Sequence, residues 1–254
     1  RLCGNHPHCR AFRISAQLRH TLDKKILRVE EIPMASWMVH LRIADILLDK
    51  FEDLEKTDFI MGNIAPDSGV PSEDWSYYVP SSKVSHFRDE SKKIQLQPYL
   101  DRYFEKAVRK NYNTRQFSFY LGYLSHLITD ILWQEQISDP CLKAHAAEAL
   151  QDRNALVWKI KADWYDLDFL FLSRQPHFRA FEIYKNAVGF RNTYMDIFAP
   201  DAFDNRREYI TGFYDKKREN LDRNYPYLTE HRMDRFVTEA SEAVYNNILR
   251  LLSP

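Results

Sequence analysis

An all-α fold in a single domain is what this sequence predicts, and three features predict it. Apolar residues recur at helical spacing along most of the chain. Strand-type alternation is absent over any useful length. Only 6 glycines occur in 254 residues; sandwiches and doubly wound sheets spend glycine on their turns, so the scarcity favours helices. Apolar residues make up 44% and aromatic residues 14%, enough for one well-buried core at this length.

The elements follow in order. Residues 1–33 differ from the rest in composition and have poor hydrophobic periodicity, so they read as a non-native or disordered leader, with translation expected to begin at Met34. Cys3, His6, His8 and Cys9 are zinc-ligand types, but they crowd into seven residues with no second half. Ser36 is the expected N-cap of a first helix running to about Phe51, whose apolar stripe is Trp37, Val39, Leu41, Ile43, Ala44, Leu47 and Leu48. A second short helical piece runs to about Met61 and breaks at Gly62-Asn63-Ile64-Ala65-Pro66-Asp67-Ser68-Gly69. A polar loop is expected from there to about His86; loops of that length are often functional. Pro98 fits the first turn of a helix to about Lys110. The most apolar helix, from about Thr114 to Ile137, is hydrophobic around most of its circumference and is expected at the centre. Helices are expected from about Asp152 to Leu172 and from about His177 to Ala187, then two more between Tyr209 and Leu252, broken near Pro226.

Composition narrows function. Lys+Arg and Asp+Glu balance at 36 each, which leaves no net field to draw nucleic acid or an anionic membrane. No run approaches the roughly 18 apolar residues of a membrane span. Three cysteines, Cys3, Cys9 and Cys141, do not make a disulfide framework; Cys141 lies near no catalytic pattern and reads as packing. With no apolar region of a secretory signal evident, a cytoplasmic location is expected.

His126 and Asp130 carry the first chemical signal. Spaced i, i+4, they share one face of the most apolar helix. A carboxylate buried there without a partner costs several kcal/mol or stays protonated. A hydrogen bond within the pair answers that need, and so does a metal. Asp67, aimed by Pro66, reads alone as a turn or cap residue, His86 as a surface or packing histidine, His40 as a core histidine. Together, two carboxylates and three imidazoles suit a borderline cation such as zinc. Trp75, Tyr77 and Tyr78, in the loop between Asp67 and His86, are either loop anchors or an apolar lip for a substrate.

The order of these pieces resembles the zinc-dependent phospholipase C family, whose fold is shared with the S1/P1-type nucleases. It runs from His40 through Phe59-Ile60-Met61-Gly62 and Pro66-Asp67 to His86, then to Tyr120-Leu121-Gly122-Tyr123-Leu124-Ser125-His126-Leu127-Ile128-Thr129-Asp130. The resemblance implies that Asp67, His86, His126 and Asp130 ligate one zinc, that Asp130 bridges to a second metal with His40, and that Asp67 doubles as proton acceptor. It implies hydrolysis of a phosphoric ester by zinc-bound hydroxide, on a small phosphate-ester or phospholipid-type substrate. The sequence departs from the family where a further His and a His-x3-Glu pair are expected: it has Trp133-Gln134-Glu135-Gln136, and on the next helix Asp163, Asp166 and Asp168, any of which is a candidate second-metal ligand. One or two ions are therefore expected rather than three. Ser68 replaces the aromatic residue of choline-ester enzymes, so choline specificity is not expected. Two other readings stand beside this one: a helical metal-binding or interaction protein with a non-catalytic site, and a single-strand-type nuclease, against which the balanced charge argues.

Overall fold

A computed structural model of the chain describes residues 34–73 and 77–253. The expected leader, with Cys3, His6, His8 and Cys9, lies outside the described residues, as does Trp75. The chain runs through α1 (Trp37–Leu48), α2 (Lys56–Ile64), a 3-10 turn (Ala65–Asp67), the short strands β1 (Val70–Pro71) and β2 (Tyr78–Val79), α3 (Ser82–Ser85), α4 (Leu96–Tyr103), α5 (Lys106–Arg109) and α6 (Thr114–Trp133). A π-helical turn (Gln134–Ser138) leads into α7 (Asp139–Ala144), α8 (Ala146–Arg174), α9 (Arg179–Asn186), α10 (Ala202–Tyr214) and α11 (Glu230–Leu252). The fold is all-α, and no helix among the described residues is long and apolar enough to cross a membrane.

Local chemistry sets these boundaries. Ser36 caps α1 by accepting from the Val39 amide. Asn113 and Gln116 form a capping box at the start of α6. α6 is the central element: every residue from Ser118 to Asp130 is buried. Its far end, Trp133, meets Trp164 of α8 and Phe236 of α11 edge-on, with ring centroids 4.8 and 5.0 Å away.

α2 crosses α6 at backbone contact, through a reciprocal pair of glycines. A Cβ on Gly62 would sit 2.0 Å from the Phe119 carbonyl oxygen, and one on Gly122 would sit 2.1 Å from that of Phe59. The crossing admits hydrogen alone on both sides, and it sets the last turn of α2 directly against the His126 face of α6.

Several boundaries differ from the sequence reading. The loop after Gly69 contains a small hairpin, with Val70 opposite Val79 and Pro71 opposite Tyr78; two residues per strand are too few for alternation to show. The helix holding Pro98 stops at Tyr103, because Tyr99, Leu100 and Tyr103 are its buried face and nothing in Lys106–Arg109 is buried to prolong it. α6 does not run regularly to Ile137 but passes into the π turn after Trp133. α8 holds two helical pieces that meet at the non-helical Asp152 (φ −155°, ψ 96°); its carboxylate caps the Ala155 amide at 2.9 Å, so the helix expected from about Asp152 is present, and only the piece from Ala146 before it departs from the sequence reading. The final pair of helices starts at Ala202 rather than Tyr209. Cys141 is a free thiol that burial pushes up to about 11, which favours the inert neutral form.

Candidate metal centre

Four segments bring five side chains to one point. α1 supplies His40, the 3-10 turn after α2 supplies Asp67, the residue closing α3 supplies His86, and α6 supplies His126 and Asp130. His126 Nε2 lies 3.2 Å from Asp130 Oδ2 and 3.3 Å from His86 Nε2. His86 Nε2 lies 3.3 Å from Asp67 Oδ1 and 3.6 Å from Asp130 Oδ2. His40 Nε2 lies 3.2 Å from Asp130 Oδ1, and its ring stacks on that of His126 with centroids 3.7 Å apart. Donor atoms around one tetrahedral zinc are about 3.3 Å apart, as bonds of about 2.0–2.2 Å require. Two overlapping groups of donors result: His40, His126 and Asp130, and Asp67, His86 and His126.

The backbone orients the imidazoles. His126 Nδ1 lies 2.7 Å from the carbonyl oxygen of Asn63. A carbonyl only accepts, so Nδ1 carries the proton and Nε2 presents a lone pair to the cluster. That bond exists because the Gly62–Gly122 crossing puts the end of α2 against α6. His86 Nδ1 meets Ser85 Oγ at 3.0 Å, and the Tyr123 hydroxyl donates to the Ser85 carbonyl. Phe87 follows in the left-handed region (φ 53°), a backbone that costs a bulky residue about 1–2 kcal/mol. Its ring packs edge-on to Tyr99 and Tyr123.

These residues fit a cation on independent grounds. His40 and Asp130 are fully enclosed, and Asp130 Oδ2 and both ring nitrogens of His40 have no aligned hydrogen bond, the 3.2 Å approaches of the His40 and His126 rings to the carboxylate being charge contacts only. Buried polar atoms are rarely left so. The bare Nε2 of His126 faces His86 Nε2 at 3.3 Å, a gap that a proton on His86 or a metal ion fills. Charge runs the same way. Burial works against ionised Asp130, but the His126 and His40 rings outweigh it and hold the carboxyl well below its usual range. Asp67, a quarter exposed, is also held low: burial opposes its charge, and the His86 hydrogen bond and the His126 and His86 charges overcome that. Burial lowers His40, helped by the charge of His126. Burial opposes the charge of His126 too, yet the Asp130 carboxylate raises it.

The three aspartates of α8 are not brought to this cluster. Arg223 pairs with Asp163 and Asp166, at 2.8 Å each, and Asp163 also accepts from the Tyr227 amide. Asp168 accepts from Ser36 Oγ at 2.8 Å and from the Tyr214 hydroxyl at 2.7 Å; burial pushes its carboxyl up to about 7. The i, i+3, i+5 pattern of these acids is thus used to fasten α8 to α1, α10 and the segment before α11.

A cleft of about 180 Å³ opens on the cluster, lined by Asp67, His86 and residues of α1, α8 and α10. Tyr78 lines it, whereas Tyr77 is 60% exposed and outside the lining. Sequence reasoning missed Trp37, Tyr165 and Arg88 in this wall. Lys161, Trp164 and Tyr165 are spaced i, i+3, i+4, a helical-face signal visible in the sequence but with nothing to say which face met the cleft. It also missed Asn63, which acts through a backbone carbonyl.

No curated protein and no solved structure matches the chain. A family model described as zinc dependent phospholipase C matches residues 39–216, a span that contains all five converging side chains and most of the fold. With that span matched, the chain belongs to the zinc-dependent phospholipase C family.

Proposed function

We propose that this protein is a zinc-dependent hydrolase of phosphoric esters. The observation that carries the reading is the convergence of Asp67, His86, His126, Asp130 and His40, with buried polar atoms that have no other partner. Asp67, His86, His126 and Asp130 would hold one zinc, and His40 with Asp130 a second. Zinc, when bound, acidifies water and neutralises charge on a phosphoryl oxygen. The chain's own residues do the rest. Asn63 fixes the His126 tautomer, and Ser85 and Tyr123 fix the His86 loop. Asp67 stays ionised across the working pH range and faces the cleft, so it is placed to accept a proton from the attacking water. The cleft bounded by Trp37, Tyr78 and Tyr165 orients the ester.

The test is metal content and turnover together. The purified chain should carry about one or two zinc ions, hydrolyse bis(p-nitrophenyl) phosphate or p-nitrophenyl phosphate, and lose that activity to a chelator. Asp130→Asn keeps the shape but removes the charge; zinc affinity should fall by more than the roughly 10–100-fold of an outer-shell change, and activity with it. Full activity in that variant would place the chemistry elsewhere.

A second reading is a metal-binding protein without turnover. The engagement of Asp163, Asp166 and Asp168 by other partners favours it, because α8 then offers no further ligand. Zinc retained with no hydrolysis of either ester would select it.

A further inference from the structure

Arg88 stands two residues beyond His86 in the wall of the same cleft. It is only 9% exposed, and its Nε is buried with no hydrogen-bond partner. Its Nη2 meets the thioether of Met34 at 2.7 Å, a weak and uncharged acceptor. Among the described residues no carboxylate pairs with it. Burying a guanidinium without an anion is costly, and folded proteins pair such groups. Nor is the side chain placed by accident. The Arg88 amide donates to the Lys83 carbonyl at 2.9 Å, and the residue bridges to Ile94. The left-handed Phe87 fixes the chain just before it.

Two more cations share the lining, Lys161 of α8 and Arg206 of α10. Arg206 donates to the Gly69 carbonyl at 2.7 Å, a neutral partner that leaves its charge standing. Among the described residues the one acid in the lining is Asp67, already turned to His86. In a chain with no net charge, Arg88 and Arg206 thus bring to this cleft two guanidiniums that no carboxylate among the described residues pairs.

We propose that Arg88, with Arg206, forms an anion subsite beside the metal centre, and that the ester taken there carries a second negatively charged group, a phosphate. The guanidinium fork suits two phosphate oxygens at once. A cleft of about 180 Å³ holds a headgroup-sized ligand and falls short of the volumes that enclose larger molecules. A cationic headgroup would face the like charges of two guanidiniums. The substrate half of this inference rests on the hydrolase reading; the anion binding does not.

The test uses the zinc-loaded full chain, with zinc content and melting temperature measured for every variant. Inorganic phosphate is titrated by calorimetry into wild type, Arg88→Gln, Arg88→Lys and Arg206→Gln. Arg88→Gln should weaken phosphate at least about tenfold at unchanged zinc content, and Arg88→Lys should weaken it less. Unchanged phosphate affinity in Arg88→Gln overturns the subsite. Should Arg88→Gln melt early, Arg206→Gln decides, and unchanged affinity there overturns it equally. With a short-chain phosphorylated phosphoinositide, which carries a second phosphate, and short-chain phosphatidylcholine, which does not, as substrates, kcat/KM in Arg88→Gln should fall about tenfold for the first and hold for the second. Equal losses on both overturn the selectivity. If wild type cleaves neither these nor the p-nitrophenyl esters, the hydrolase reading fails while the phosphate titration still decides the subsite. Phosphatidylcholine vesicles with and without a phosphorylated phosphoinositide locate the anion. Phosphoinositide-dependent binding that Arg88→Gln abolishes supports the subsite on a lipid headgroup; no vesicle binding beside an Arg88-dependent phosphate titration supports it on a soluble ester.

Discussion

Asp168 is a carboxyl that two hydroxyls hold in a fully enclosed place. Ser36 and Tyr214 donate to it, among the described residues no cation is in contact with it, and burial outweighs these bonds and the charge of Arg42 and raises it from the ordinary 3.8 to about 7. The sign follows from where the proton resides. Between those two values the folded chain keeps a proton that the unfolded chain has lost, so the stability contributed is full below pH 3.8 and is lost as pH rises through about 7. Wild type should lose on the order of a few kcal/mol across that window. Asp168→Asn, uncharged at every pH, should flatten the profile and match or exceed wild type at alkaline pH. Parallel unfolding curves for the two proteins from acid to alkali would show that Asp168 is not the titrating group. At this scale the sequence was legible where one helix carried the pattern: His126 and Asp130 declare a shared face by spacing alone. Asp168 was legible as an acid but not as to its partner, since Ser36 and Tyr214 lie on α1 and α10. Arg88 gave no signal, because whether a guanidinium has a counterion is a property of the folded neighbourhood.

The α2–α6 crossing decides whether the centre forms at all. Gly62 and Gly122 let the two backbones touch, and that contact delivers the Asn63 carbonyl to His126. A methyl at position 122 would lie 2.1 Å from the Phe59 carbonyl oxygen and 2.8 Å from the Asn63 nitrogen, both backbone atoms that no rotamer can move. Gly122→Ala should therefore cost about 3 kcal/mol or more, a fall in melting temperature of at least about 6 °C in a domain of this size, and should weaken zinc binding. Gly212, in α10, is the control: a Cβ there meets nothing within 4 Å, so Gly212→Ala should be neutral or stabilising by helix propensity. Equal melting temperatures for the two variants would refute the close crossing. The helices themselves were readable because α1, α6 and α8 bury long periodic faces. What escaped was whatever lies below the length of a period: the hairpin at Val70 and Tyr78, the polar α5, and the π turn after Trp133.

Across the whole molecule, the centre joins segments from His40 to Asp130 that are far apart in the chain. A cation there would satisfy Asp130 Oδ2 and His40 Nε2 and take the lone pair of His126 Nε2. Because the site exists only in the folded chain, zinc should raise the melting temperature, by about 4 kcal/mol of stability at a thousandfold excess over Kd. Protons compete for the same nitrogens. Without metal, His126 is raised by Asp130, so the protonated pair stabilises the fold fully below the ordinary 6.5 and that contribution is lost as pH rises through the raised value. Zinc needs the opposite form, with Nε2 of His126 bare. The zinc-loaded and chelated proteins should thus diverge with pH. Their melting temperatures should approach each other in acid, where the proton does the work of the metal, and separate above the raised value of His126, where only zinc relieves the cluster. Differential scanning measurements with zinc and with chelator at acid, neutral and alkaline pH test this. A zinc-induced rise of the same size at every pH would mean that the ion binds outside the imidazole cluster, and the assignment of His86, His126 and His40 as its ligands would fall.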